Sequence, residues 1–387
     1  MDNNWDQFRE KLIGLKGLAS IGFADIIGAS ISAFFWLYIA ATIEPESYGE
    51  INYFLGIAGI VSYIALFGTQ NTITVYTAKN VKIQSTFYLI SLIAGTISSL
   101  IIILVFYRID VGVVIFGYII NTLAIGDLLG RKLYSSYSKY ILTQKILTLV
   151  LGIGFFYVFG VNGIIYALAL SYGAYIIRLH RVFSKIKIDF SLLKPRLGFI
   201  INNYMLLIVG GFGGQLDKLI IAPLLGFMLL GNYSLALQVI GILMIFPQIM
   251  FKYLLPHDSS GNQNKKLKKM TVIVSICVTI ASVTLSPYII PTMFPKYLDV
   301  VVAIQIMSVG VIPDTISILY TSKFLGLEKS KFVLLGSLLS LITITLGIIT
   351  LGNILGVVGI ALSFLLATSF KVIFLAGADR VITKQVT

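Results

Sequence analysis

Apolar residues in this chain come in blocks long enough to cross a bilayer, one after another, with barely a charge inside them. A helix needs about 20 such residues to cross about 30 Å of hydrocarbon. Twelve stretches meet or approach that length: 18–43, 50–76, 86–107, 111–130, 141–159, 162–178, 199–222, 229–254, 270–290, 298–322, 332–351 and 356–377. Only 12% of the 387 residues are charged, against about 25% in a soluble domain. That leaves too little polar surface for two or three globular domains. The expected class is all-α, a polytopic membrane protein with twelve transmembrane helices. The shortest blocks, 141–159 and 162–178, are divided only by the turn Gly160-Val161-Asn162-Gly163. Ahead of the first span, Met1 to Lys16 mixes acidic, basic and apolar residues and reads as a short amphipathic interfacial helix. No cleavable signal is visible.

Positive charge orients such a chain, because lysine and arginine concentrate in cytoplasmic connections. With the N-terminus inside, nearly all of the 29 basic residues fall in inside tails and connections. The exceptions are Arg108 and Lys296 outside and Lys218 and Lys371 within spans; Lys139 and Lys145 are counted with the inside connection before the fifth span. Both termini are therefore expected in the cytoplasm. The same spread accounts for the net charge of +13 without nucleic acid, which would call for one basic face. The run Lys265-Lys266-Leu267-Lys268-Lys269 reads as a stop signal at the bilayer surface, with some pull on anionic headgroups. A single cysteine, Cys277, leaves no intrachain disulfide or Cys-cluster metal site, and His180 and His257 lie far apart. No metal or cofactor is expected, and a monomer is.

Two echoes point to duplication. A shift of 182 lays Gly49, in Ile43-Glu44-Pro45-Glu46-Ser47-Tyr48-Gly49, on Gly231, in Leu225-Gly226-Phe227-Met228-Leu229-Leu230-Gly231. Gly160-Val161-Asn162-Gly163-Ile164 before the sixth span is matched by Gly356-Val357-Val358-Gly359-Ile360 before the twelfth. Six spans are an even number, so both halves face the same way and form a parallel repeat about the membrane normal. The expected division is a six-helix bundle at 1–178, a cytoplasmic hinge connection at 179–198 and a second six-helix bundle at 199–387.

Ionisable residues within spans are functional candidates by default. Asp25, Asp217 with Lys218, Asp314 and Lys371 are the candidates for a substrate or ion pathway, with Gln70 and Asn71 (and Thr72 and Thr74 beside them) as softer ones. Each has a plainer reading: an interhelical partner for the acids, snorkelling for Lys371. Lys218 points about 100° away from Asp217, so the two do not form a face-on pair within one helix. Asp127 lies one turn from Arg131 and reads as an interfacial i,i+4 pair. Pro223, Pro247 and Pro313 are kink points. Gly210-Gly211-Phe212-Gly213-Gly214 has the composition of a phosphate loop but no Gly-Lys-Ser/Thr, so helix packing or a kink is expected there, as is helix contact at Gly126 and Gly130.

The stretch Asp217-Lys218-Leu219-Ile220-Ile221-Ala222-Pro223-Leu224-Leu225-Gly226, followed by Gly231-Asn232-Tyr233-Ser234-Leu235-Ala236, resembles the D-(K/R)-x-x-I…L-G…V-G-x-Y-S-x-A pattern of the polysaccharide flippases. These form the oligosaccharide-exporting branch of the MOP superfamily, which also holds MATE antiporters and lipid II flippases. Ile43 to Gly49 is similar to that family's L-G-P-E-x-Y-G, and the resemblance covers almost the whole chain. It implies two bundles around a V-shaped cleft and alternating access. It also implies outward movement of undecaprenyl- or dolichyl-pyrophosphate-linked oligosaccharide across a prokaryotic cell membrane. A proton or sodium ion is the implied coupling partner, beside the lipid-linked substrate and membrane lipids. Asp217 carries over as a family-typical position; Asp25 and Asp314 rest on burial alone. The spans hold more acids than lysines, which suits a second reading, a MATE-like cation-coupled exporter of organic cations. A third class, a membrane polysaccharide polymerase or ligase, needs catalytic groups in sizeable outside loops. The outside connections 44–48, 108–110, 160–161, 223–228, 291–297 and 352–355 are short and hold no acid/base pair or nucleophile triad, so an enzyme is not expected.

Overall fold

In the computed structural model, which describes residues 2–67, 70–259, 264–327 and 329–386, the apolar blocks form helices, and no strand occurs among the described residues. The order is α1 (Asp2–Thr42), α2 (Pro45–Ala65), α3 (Gln70–Ala78), α4 (Gln84–Phe106), α5 (Ile109–Gly130), α6 (Tyr134–Phe159), α7 (Val161–Ser171), α8 (Ile176–Lys185) and α9 (Leu197–Gly213). There follow α10 (Leu216–Leu225), α11 (Phe227–Leu243), α12 (Ile245–Ser259), α13 (Lys265–Met293), α14 (Val300–Gly326), α15 (Ser330–Gly347), α16 (Asn353–Leu355) and α17 (Val357–Val386). Among the described residues, ten helical stretches are long and apolar enough to cross a membrane, and two bent helix pairs raise the number to twelve. These match the twelve apolar blocks one for one. Within the stretch 1–16, the described residues from Asp2 on do not form a separate helix: α1 runs unbroken from Asp2 into the first span. The fifth span starts early, at Tyr134, and thereby takes Lys139 onto α6; Lys145, inside the block 141–159, is on the helix and not in the connection.

The bent pairs are α2 with α3, at 42°, and α11 with α12, at 48°. Pro247 explains the second. A proline has no N–H to give the carbonyl four residues back, and that carbonyl belongs to Leu243, the last residue of α11. Pro313 behaves differently, since α14 runs through it as one helix.

The chain forms two compact units, and neither is a single run of sequence. Unit 1 comprises residues 1–35 and 54–215; unit 2 comprises 36–53 and 216–387. These boundaries differ from a division at 178 and 199. The reason lies partly in the connection at 179–198. It is helical to Lys185, and beyond that Ser85 Oγ donates to the Ile186 carbonyl (2.8 Å) while the Asp189 N–H donates to Thr86 Oγ1 (2.9 Å). A segment bonded to the start of α4 in this way is part of unit 1. Asp189 is itself tied down, accepting from the Ser191 N–H and hydroxyl, which holds its carboxyl below the usual range.

At the centre of unit 1 is α5, packed on α3, α4 and α7; at the centre of unit 2 is α14, packed on α11, α12, α13 and α17. Small residues allow the close approaches. A side chain at Gly126 would meet the Gln70 carbonyl oxygen at 2.9 Å, and one at Gly130 the Thr74 carbonyl oxygen at 2.7 Å. Both echoes of the sequence are structural. Gly160 and Gly356 have positive φ (+66° and +57°), and a Cβ on Gly163 or Gly359 would strike the backbone of Phe155 or Leu351, eight residues earlier in each case. Within unit 2, Gly49 and Gly231 face each other reciprocally. A Cβ on Gly49 would collide with the Phe227 carbonyl, and one on Gly231 with the Pro45 carbonyl. The shift of 182 that superposes the two glycines also carries Pro45 onto Phe227, so the contact has the local symmetry of the repeat.

Candidate functional site

The break in the second span creates a polar recess inside unit 1. Helix α2 stops at Ala65, and its unused carbonyls need partners. One, on Ile64, accepts from the Tyr204 hydroxyl of α9 at 2.7 Å, and Phe67 stacks on the same Tyr204 ring at 4.9 Å. The chain re-enters helix at Gln70, 42° off the old direction. Between the two half-helices, α5 and α9 lies a cavity of about 450 Å³ lined by Tyr63, Gln70, Asn71, Thr122, Asn203 and Leu207, with Gly210 and Gly211 completing the wall. None of the described lining residues is charged. Asn203 Nδ2 donates to the Phe199 carbonyl (2.9 Å) and Thr122 Oγ1 to the Tyr118 carbonyl (2.9 Å), so local bonds orient both side chains. Gly211 lets the Tyr63 ring lie directly on the backbone of α9, and α9 ends at Gly213. The glycine run thus serves as both helix contact and break.

Gln70 and Asn71 are brought together here with an amide the sequence reading missed, Asn203. Two adjacent amides, Asn202 and Asn203, interrupt the apolar block of the seventh span and were the available signal.

The charged candidates sit elsewhere, each with a partner. Asp25, half-buried on α1, accepts from the Tyr137 hydroxyl of α6 at 2.9 Å, and Ser20 and Ser138 bond across the same two helices (2.8 Å). One turn from Asp25, a Cβ at Gly28 would meet the Lys145 stem at 3.3 Å, so Lys145 of α6 lies beside this stretch of α1. In unit 2, Asp217 opens α10, where the positive end of the helix dipole favours an acid. Its two oxygens accept from the Lys218 N–H and from the hydroxyl of buried Tyr233 on α11, both at 2.8 Å. Lys218 is half-buried beside it. Asp314 on α14 and Lys371 on α17, both half-buried, lie within electrostatic reach of each other. Thus Asp25, Gln70 and Asn71 belong to unit 1, and Asp217, Lys218, Asp314 and Lys371 to unit 2.

Asp127 is more than an i,i+4 pair. Fully buried at 0% exposure, it takes Arg131 Nε on one oxygen (2.8 Å) and Arg178, from α8, on the other (2.6 Å). Among the described residues no group of three His, Cys, Asp or Glu side chains is placed to hold a metal ion.

No protein-family model and no curated relative matches the chain. Solved structures do. An inward-facing multidrug resistance MATE family transporter of the MOP superfamily is similar over 93% of this chain and 95% of its own, with a TM-score of 0.73 and 16% identity. The lipid II flippase MurJ, in an inward closed conformation, is similar over 93% of this chain and 87% of its own (TM-score 0.74, 14% identity). A MOP superfamily transporter from Pyrococcus furiosus, described as having a binding pocket of reverse polarity, covers 96% of this chain and 97% of its own (TM-score 0.63, 16% identity). At such identities the likeness is one of fold. The chain is an all-helical, multi-pass membrane protein with the fold of MOP superfamily transporters.

Proposed function

We propose that this protein flips a polyprenyl-pyrophosphate-linked oligosaccharide from the cytoplasmic to the outer leaflet of a prokaryotic cell membrane by alternating access. The observation that carries the proposal is the uncharged amide cavity at the bend of the second span. Amides both donate and accept hydrogen bonds, which matches sugar hydroxyls, whereas an organic cation is held by carboxylates or aromatic faces. The sugar headgroup would use such polar recesses while the polyprenyl tail stays in lipid.

The test is reconstitution. Proteoliposomes should move a fluorescent lipid-linked sugar faster than empty liposomes; equal rates sink the proposal. A hydrogen bond is worth about 0.5–1.5 kcal/mol net. Asn71→Leu and Asn203→Leu should therefore each slow transport roughly three- to tenfold in protein that still elutes as a sharp peak. Unchanged rates in both would remove the cavity from the substrate path.

A MATE-like export of organic cations is the second reading, favoured by the half-buried acids Asp25, Asp217 and Asp314. In either reading Asp25 or Asp217 is the place for a coupling proton or sodium ion. Asp25→Asn keeps an oxygen for the Tyr137 hydroxyl while removing the charge. The expected result is transport that no longer responds to an imposed ion gradient. If instead this variant abolishes drug resistance and leaves surface polysaccharide intact, the second reading replaces the first.

A further inference from the structure

At the other end of α3 from the amide cavity, unit 1 holds a second recess of different chemistry. Helices α3, α5 and α8 all end there, and the chain reverses at Asn80 (φ +58°) and Lys132 (φ +56°). The cavity, about 470 Å³, is lined by Lys82, Arg131, Lys132 and Lys185 with the amides of Asn80 and Gln84, and no acid is among its described lining residues. Its volume is within the range of about 300–1,000 Å³ found for small-ligand sites.

Charge at this recess does not balance. The nearby acid, Asp127, is consumed by Arg131 and Arg178. Three helix C-termini contribute about half a negative charge each, against full charges on Lys82, Lys132 and Lys185. The remainder is positive. Basic residues on the cytoplasmic side of a membrane protein are ordinary, and that accounts for each lysine taken singly. It does not account for their convergence on one recess with a buried amide. Gln84 is 3% exposed; its Nε2 donates to Thr77 Oγ1 (2.8 Å), and its Oε1 has no hydrogen-bond partner.

We propose that this recess docks the phosphate or pyrophosphate headgroup of a membrane lipid, its anionic oxygens on Lys82, Lys132 and Lys185. A headgroup that also carries a hydroxyl supplies the donor that Gln84 Oε1 lacks. Two sources share this chemistry: the polyprenyl pyrophosphate of the transported substrate, which rests on the flippase reading above, and an anionic phospholipid of the inner leaflet.

The test compares the parent with the triple variant Lys82→Gln, Lys132→Asn, Lys185→Gln, all three positions being exposed. Asparagine is chosen at 132 because it tolerates the left-handed backbone. In phosphatidylcholine nanodiscs, farnesyl pyrophosphate is titrated by calorimetry with farnesol as the control. In a second arm, phosphatidylglycerol retained from mixed nanodiscs is counted by native mass spectrometry. At about 1 kcal/mol per basic residue, the triple variant should bind farnesyl pyrophosphate about a hundredfold more weakly. That result assigns the recess to the substrate. Loss of retained phosphatidylglycerol, with farnesyl pyrophosphate unaffected, assigns it to bulk phospholipid and equally upholds a phosphate site. Parent and variant behaving alike towards both probes overturns the proposal, as does a parent that binds neither. Lys185→Gln alone serves if the triple variant does not fold. A parent that binds farnesyl pyrophosphate but moves no lipid-linked sugar refutes the transport reading and leaves the docking site standing.

Discussion

Gly231→Ala should cost the protein most of its folded yield, and Gly49→Ala should do the same. Each glycine lies against backbone, not against the mobile tip of a side chain: Gly231 against Pro45, Gly49 against Phe227 and the Gly231 N–H at 2.8 Å. Overpacking a core typically costs about 1–3 kcal/mol when side chains can shift. Here two helix starts, α2 and α11, would have to separate, which places the cost at or above the top of that range. Gly154 on α6 is the control, with nothing within 4 Å of a Cβ. Alanine there should be neutral or stabilising by about 0.5–1 kcal/mol, because glycine is a poor residue in mid-helix. Thermal melting in detergent, followed by the loss of the monodisperse peak, ranks the three. Gly231→Ala melting with Gly154→Ala would show that the contact is slack.

The second large effect is expected at Asp127. Removing one member of a buried ion pair costs about 3–5 kcal/mol, since the partner is left charged and unmatched. Asp127→Asn strands two arginines at once, Arg178 with a side chain 11% exposed and Arg131 with one 39% exposed. Arg178→Gln should come next in severity, because Asp127 keeps Arg131. Arg131→Gln should be mildest, because water already reaches that guanidinium. Melting temperatures in that order support the account; Arg131→Gln matching Arg178→Gln would contradict it. Unit 2 holds a related pair with the charges reversed. Lys323, near the end of α14, meets Asp379 of α17 at 2.6 Å. Shifting Asp127 by 196, the offset of the Gly160 and Gly356 turns, lands on Lys323.

The spans were legible because bilayer thickness imposes one length on each of them, and the repeat because a backbone contact tolerates only glycine at 49 and 231. Other features were not. Hydropathy cannot place the start of a helix in Tyr134-Ser135-Ser136-Tyr137-Ser138-Lys139, which reads as a polar connection yet forms the first turns of α6. That is why Lys139 falls outside the block 141–159 although it lies on α6. The bend at Pro247 follows from a missing N–H, but the break after Ala65 has no proline to announce it. Partners of the buried acids are distant in sequence: Tyr137 is 112 residues from Asp25, and Arg178 is 51 from Asp127. A pattern confined to one helix carries the i,i+4 arginine and nothing of those two. Gln70 and Asn71 stood out as polar residues closing an apolar block, while the cavity they line exists only because the chain turns between them and Tyr63.

Membership of the two units changes three times along the chain. At 35/36 the change falls inside α1, at 53/54 inside α2, and at 215/216 between α9 and α10. The first two crossings are made by unbroken helix, whose hydrogen-bonded ladder resists bending; the third follows a pair of glycines, Gly213 and Gly214. Backbone freedom at the three positions is therefore unequal: least inside α1 and α2, where every residue is held in the helical ladder, and greatest around Gly214.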